Sequence, residues 1–166
     1  MIYLIWLLRI IHIVGGVFWV GGSLIMAFFV GPAIGATGEA GQKFVGHLMN
    51  NLKFSNRISA AAGSAVLAGV ILYALDARAG AAWARSSFAI GLGIGAAFAL
   101  VGLVFGIMVG RNTKAMADLG AQFQGKPTND QMRQMQEIQQ RQRTYSMVNV
   151  AALLLATVFM AIARYL

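Results

Sequence analysis

Four stretches of this chain, each near the length of a membrane span, constrain its fold more than anything else in it. They run from about Ile2 to Val30, Ile58 to Leu75, Phe88 to Val109 and Met147 to Leu166. A helix needs about 20 mostly apolar residues to cross the hydrocarbon core of a bilayer. Inside that core every backbone N–H and C=O must be paired by the protein itself, which a helix does within its own segment. Hydrophobic residues make up 58% of the 166 and only 11% are charged, whereas a soluble domain carries about 25% charged residues. One soluble core of this size could not bury so much apolar surface. No segment alternates apolar and polar residues over a useful length, so no strand is predicted. The expected fold is all-α: a single domain over residues 1–166, built as a four-helix transmembrane bundle with cytoplasmic helical extensions.

The connections differ in kind. Gly31-Pro32 closes the first run; proline has no N–H and restricts the residue before it, so the helix is expected to stop or bend there. The apolar part from Ile10 to Val30 exceeds the about 7–15 residues of a signal-peptide core. Ala33-Ile34-Gly35-Ala36 offers small residues for cleavage, and a retained first helix is the favoured reading. Residues 76–86 form a short turn, which makes the second and third helices antiparallel neighbours. Phe44, His47, Leu48 and Leu52 fall at helical spacing. No proline or turn pair interrupts Glu39 to Leu75, so this segment is expected to be a cytosolic extension of the second helix, with an interfacial helix as the alternative. Thr128 and Gln131 match a capping box. Met132, Met135, Ile138 and Tyr145 then form a stripe that predicts one long helix from about Asn129 to the C-terminus, its first half outside the bilayer.

Charge sets the orientation. The net charge is +8, and the cations lie between the apolar runs. Lys43, Lys53, Arg57, Arg111, Lys114, Lys126, Arg133, Arg141 and Arg143 fall on one side, against Arg9, Arg78, Arg85 and Arg164 on the other. Positive loops stay in the cytoplasm. The chain is therefore expected in a bacterial inner membrane with both termini on the outer side. Loops of this sign suit anionic headgroups. No base-reading motif accompanies the charge, so no nucleic-acid partner is expected. Cysteine is absent, which removes disulfides and thiolate metal sites.

Small residues repeat at intervals of four: Gly91 and Gly95, Gly102, Gly106 and Gly110 in the third run, and Ala61, Ala65 and Gly69 in the second. Such faces let helices approach closely in lipid. Packing within the chain is the favoured use; a homodimer or another membrane subunit is the alternative.

The polar residues of the first run need a reason. Steps of three and four place Arg9, His12, Gly15, Gly16, Trp19, Gly22, Ser23 and Met26 on one face. A histidine at membrane depth usually faces the protein interior and marks a function or a partner. The glycines remove side chains where something flat could lie. One reading is haem b, with His12 as axial ligand, its plane against Gly15 or Gly16, and Arg9 holding a propionate by charge-assisted hydrogen bonds. The other is a structural or proton-handling histidine, with glycines that admit the second helix and Trp19 as a core aromatic. At 1.5 Å per residue His12 stands about 25–30 Å from the cytoplasmic end of its helix, too far to share one haem with His47, the only other histidine. Thioethers suit Cu(I), and the closest methionine pair, Met132 and Met135, makes copper a lesser candidate, since methionine there serves packing. Asp76 is the only acid near a membrane run, with Arg78 to pair it, and no Ser-His-acid set or phosphate loop is present.

Ile11–Gly22, "IHIVGGVFWVGG", resembles the first-helix signature of the CopD-like group of small four-helix integral membrane proteins, in which a histidine precedes a tryptophan and a glycine pair. "FFVGPAI" and "GQKFVGHLM" look like its uncharacterised branch. A more distant likeness is to the HemJ-type protoporphyrinogen oxidase, whose pattern continues with Leu-Pro-Arg where this chain reads Gly22-Ser23-Leu24-Ile25. The resemblance covers helix one and the loop after it. It implies a haem or metal role for His12 and a packing role for Trp19. The expected function is an inner-membrane b-type haem-binding protein in electron transfer or redox sensing. The alternative is a non-catalytic transport component or an accessory subunit of a larger membrane complex. Whether the chain is an enzyme is left open by its residues.

Overall fold

A computed structural model describes residues 2–123, 125 and 127–166; Lys126, counted above among the loop cations, lies outside them. Helix α1 spans Ile2–Ile25 and passes through a π-helical turn, Met26–Val30, into α2, Gly31–Thr37. Then come α3 (Glu39–Asn50), α4 (Phe54–Ala77), the single turn α5 (Ala81–Ala84), α6 (Ser87–Gly120) and α7 (Asn129–Ile162), which ends in a 3₁₀ turn, Ala163–Tyr165. Among the described residues there is no strand. Four stretches are long and apolar enough to cross a membrane: Ile2–Thr37, Phe54–Ala77, Ser87–Gly120 and Asn129–Tyr165. This is the build of a multi-pass membrane protein, and the all-α bundle is as the sequence implies.

Three expectations need correction. The first helix does not stop at Gly31-Pro32. The Gly31 N–H reaches back to the Met26 carbonyl, and this wider turn lets Pro32 fall in the first turn of α2, where its missing N–H breaks no helical bond. The helix ends instead at Gly38, whose φ of 55° suits glycine. Second, Glu39 to Leu75 is not one helix. The chain breaks between α3 and α4, where Lys53 takes a left-handed conformation with φ 52°. That region is uncommon for a residue with a Cβ. Third, the second and third helices, α4 and α6, are not the closely packed neighbours expected from the short turn between them: α4 packs on α1 and α6 on α7, and α6 runs on past Val109 to Gly120. The capping box at the start of α7 is present: the Thr128 hydroxyl accepts from the Gln131 N–H at 3.3 Å, and the Thr128 N–H donates to Gln131 Oε1 at 2.9 Å.

The bundle is two antiparallel helix pairs, α1 with α4 and α6 with α7. Glycine brings the partners together in both. A Cβ on Gly95 would sit 3.2 Å from the Ala156 carbonyl oxygen and 2.8 Å from Met160 Cγ. One on Gly91 would meet Ala163, and one on Gly102 would meet Leu153. The buried Asn149, 4% exposed, donates from Nδ2 to the Gly102 carbonyl at 2.6 Å. Gly91, Gly95 and Gly102 thus pack within the chain, while nothing lies within 4 Å of a Cβ at Gly110. Trp19, Ala62 and Leu153 form the buried hub where the pairs meet, with Leu103 and Ile58 against it.

Candidate functional site

His12 lies on the side of α1 that faces α4. Its Nδ1 is 2.7 Å from the Ala65 carbonyl oxygen. A carbonyl can only accept, so Nδ1 carries the proton and donates. In the neutral ring Nε2 then holds the lone pair. It makes no hydrogen bond to any described residue, and it is not among the buried unpartnered atoms. The ring can lie this close because position 69 is glycine: a Cβ there would be 2.8 Å from His12 Cε1 and 2.9 Å from Nδ1. Ala65 and Gly69, one helical turn apart on α4, are therefore the acceptor and the seat for the imidazole. The sequence showed both as part of a small-residue face without linking them to the histidine.

The predicted face divides in two. Beside Gly15 there is no room for a flat group, which corrects half of the expected gap. Its missing Cβ would lie 2.9 Å from the Ala61 carbonyl oxygen, 3.1 Å from Ser64 Oγ and 3.3 Å from Ala65 Cβ, so α4 fills the space. Beside Gly16 nothing lies within 4 Å of that position. The site therefore opens along Gly16 and not along Gly15. Gly22 faces Ile58 and is also filled. Trp19, 5% exposed, is in the hub one turn further along and holds α1 to Ala62 and Leu153. Arg9 is exposed one turn before His12, and no ion pair to it occurs among the described residues. His47 is exposed on α3, well away from His12 in the fold.

Among the described residues there is no group of three or more His, Asp or Glu side chains able to hold a metal ion. Met132 and Met135 lie on the polar half of α7, Met132 exposed and Met135 half-buried. What this site can do chemically is offer one neutral imidazole nitrogen, oriented by a backbone carbonyl, on a face with an open position one turn deeper. That is the arrangement in which a histidine most readily serves as a ligand through Nε2, because the bond at Nδ1 fixes the tautomer and the ring plane. No family model, no curated protein and no solved structure matches the chain.

Proposed function

We propose that the protein is an inner-membrane b-type haem-binding protein in electron transfer or redox sensing, with His12 as the axial ligand. The observation that carries this reading is the 2.7 Å bond from His12 Nδ1 to the Ala65 carbonyl, which leaves Nε2 without a partner among the described residues. The empty space beside Gly16 supports it, and the exposed guanidinium of Arg9 is in sequence register to pair with a propionate. His12 would hold the iron, Gly16 would admit the macrocycle, and Trp19 would keep α1 fixed against α4 and α7. A haem bound there supplies a one-electron centre, tuned by its axial ligand and by the apolar surroundings. Copper at Met132 and Met135 is a weaker proposal, since an exposed thioether pair on a single helix face offers no enclosed site.

An absorption spectrum tests the reading. Protein purified in mild detergent from haem-replete cells should show a Soret band. His12→Ala should abolish the band, and Trp19→Phe should retain it. A colourless wild-type preparation overturns the haem assignment. The orientation proposed with it places both termini outside the cytoplasm, so a reporter fused after Leu166 should be active on the outer side.

A second reading has an observation of its own. The seating of His12 on Gly69 and its bond to Ala65 are by themselves a polar clamp between α1 and α4. The protein is then a non-catalytic transport component or accessory subunit. A colourless protein that His12→Ala loosens, and that co-purifies with another membrane protein, fits this reading. The CopD-like resemblance of Ile11–Gly22 is compatible with either.

A further inference from the structure

The first helical stretch is longer than a membrane is thick. Ile2–Thr37 holds 36 residues, about 54 Å at 1.5 Å per residue, against a hydrocarbon core of about 30 Å. Its far end must therefore stand at or beyond the membrane boundary. Yet that end stays apolar: Phe28 and Phe29 are exposed, Phe29 at 71%, and α2 reads Gly-Pro-Ala-Ile-Gly-Ala-Thr. Helix α3 then folds back on it. Gly38 makes the turn at φ 55°, and Gly41 lets the two helices touch, since a Cβ there would be 2.6 Å from the Ile34 carbonyl oxygen. Between them lies a groove of about 420 Å³, lined by Phe29, Val30, Ala33, Ile34, Ala40 and Phe44. Thr37, the one hydroxyl in its wall, donates to the Ala33 carbonyl at 2.7 Å. Phe44, 56% exposed, stands at the mouth. A groove with its wall so apolar and its polar atoms so satisfied has nothing to offer water.

On α3 and at its junction with α4 the cations outnumber the acid. Lys43, beside Phe44, is exposed and pairs at 2.8 Å only with the equally exposed Glu39. Lys53 and Arg57, at the junction of α3 and α4, are exposed. Basic residues beside a membrane boundary draw anionic headgroups, and a short helix with an apolar face and lysine on the other lies in the interface plane. Helix α3 has that character, with Val45, Leu48 and Met49 partly covered and Gln42, Lys43 and His47 exposed.

We propose that the α2–α3 elbow is a lipid site: α3 lies in the headgroup layer of the leaflet at that end, and the groove holds one acyl chain of an anionic phospholipid. The basic residues recruit the headgroup, and the apolar wall takes the chain. This does not depend on what His12 binds.

The chain has no cysteine, so single labels can be placed without removing any. Full-length Phe44→Cys and Asn50→Cys, each carrying a nitroxide, go into nanodiscs of phosphatidylcholine alone or with phosphatidylglycerol. The Phe44 label should be reached by oxygen and shielded from a water-soluble nickel chelate, and it should lose mobility when phosphatidylglycerol is present; the Asn50 label should be reached by the chelate. Native mass spectrometry should find one phosphatidylglycerol retained by wild type, with retention falling at least fivefold in Ala33→Trp, which fills the groove. Water-like accessibility at Phe44 in both nanodiscs overturns the proposal. So does dipolar broadening between Phe44 labels of two chains, which would put a second copy over the groove. If Ala33→Trp does not fold, the label accessibilities alone decide.

Discussion

The two helix pairs are closed by the same device and differ in what they leave open. In α6–α7 the glycine face is filled along its length, from Gly91 against Ala163 to Gly102 against Leu153, and its buried amide is spent on a backbone carbonyl. Both helices then continue together past the apolar region, and Gln142 Nε2 donates to Thr113 Oγ1 at 3.1 Å across that extension. In α1–α4 only alternate positions are filled. Gly15 and Gly22 are packed while Gly16 and Gly21 are open, and the polar residue of the pair keeps one ring nitrogen free. One pair behaves as a strut, closed along its glycines, with only Asn112 Nδ2 and Gln142 Oε1 buried without a partner among the described residues. The other supplies a surface on which something further can sit.

That contrast can be broken first at Gly15. Gly15→Leu must push α1 off the Ala61 carbonyl, and it should cost about 2–3 kcal/mol, read as a lower detergent-denaturation midpoint. Gly16→Leu sits in the same helix, one residue on, and should leave stability within about 0.5 kcal/mol while removing any Soret band. Equal destabilisation by both would mean that the two glycines share one packed face, contrary to the geometry described. At the start of α7, Thr128→Ala removes the hydroxyl half of the capping box, leaving the Thr128 N–H bond to Gln131 Oε1, and should cost about 1 kcal/mol, seen as extra hydrogen exchange in the first turn of that helix. A small effect is also expected in the strut: Asn149→Ala should cost about 0.6 kcal/mol, as measured for interhelical hydrogen bonds in lipid, and should not alter the spectrum. A change in absorbance there would tie Asn149 to the site and blur the division between the pairs.

Hydropathy made the four spans legible because it reports what can sit in lipid. It does not report where a helix ends. Residues 110–120 are polar enough to leave the membrane but include good helix formers such as Lys114, Ala115 and Met116, so α6 continues without any change in backbone. The break at Lys53 had only a faint signal. Asn50-Asn51 precedes it, and asparagine tolerates helix ends, but the left-handed residue itself is a lysine. Pro32 misled in the other direction, because its cost depends on the turn before it, and here that turn is π-helical. At the site, the spacing of His12, Gly15, Gly16 and Trp19 was readable as one face. Which glycine is covered was not, since that depends on the azimuth of α4. The hydrogen-bond acceptor, a backbone carbonyl, has no side-chain signature at all.

The π turn at Met26–Val30 has a consequence for how insertions and deletions would be felt. Each residue advances an α-helix by about 100°. A turn closed by the Gly31-to-Met26 bond holds one residue more than an α turn. The wider turn absorbs that residue, so the chain after it keeps nearly the azimuth it would have in a plain α-helix one residue shorter. Deleting one residue within Met26–Val30 would leave the elbow facing nearly the same side, whereas deleting one from the α-helical stretch before it would swing α2, with α3 behind it, by about 100° around the axis of α1. The π turn is a place in this rod where a change of length is felt least as a change of direction.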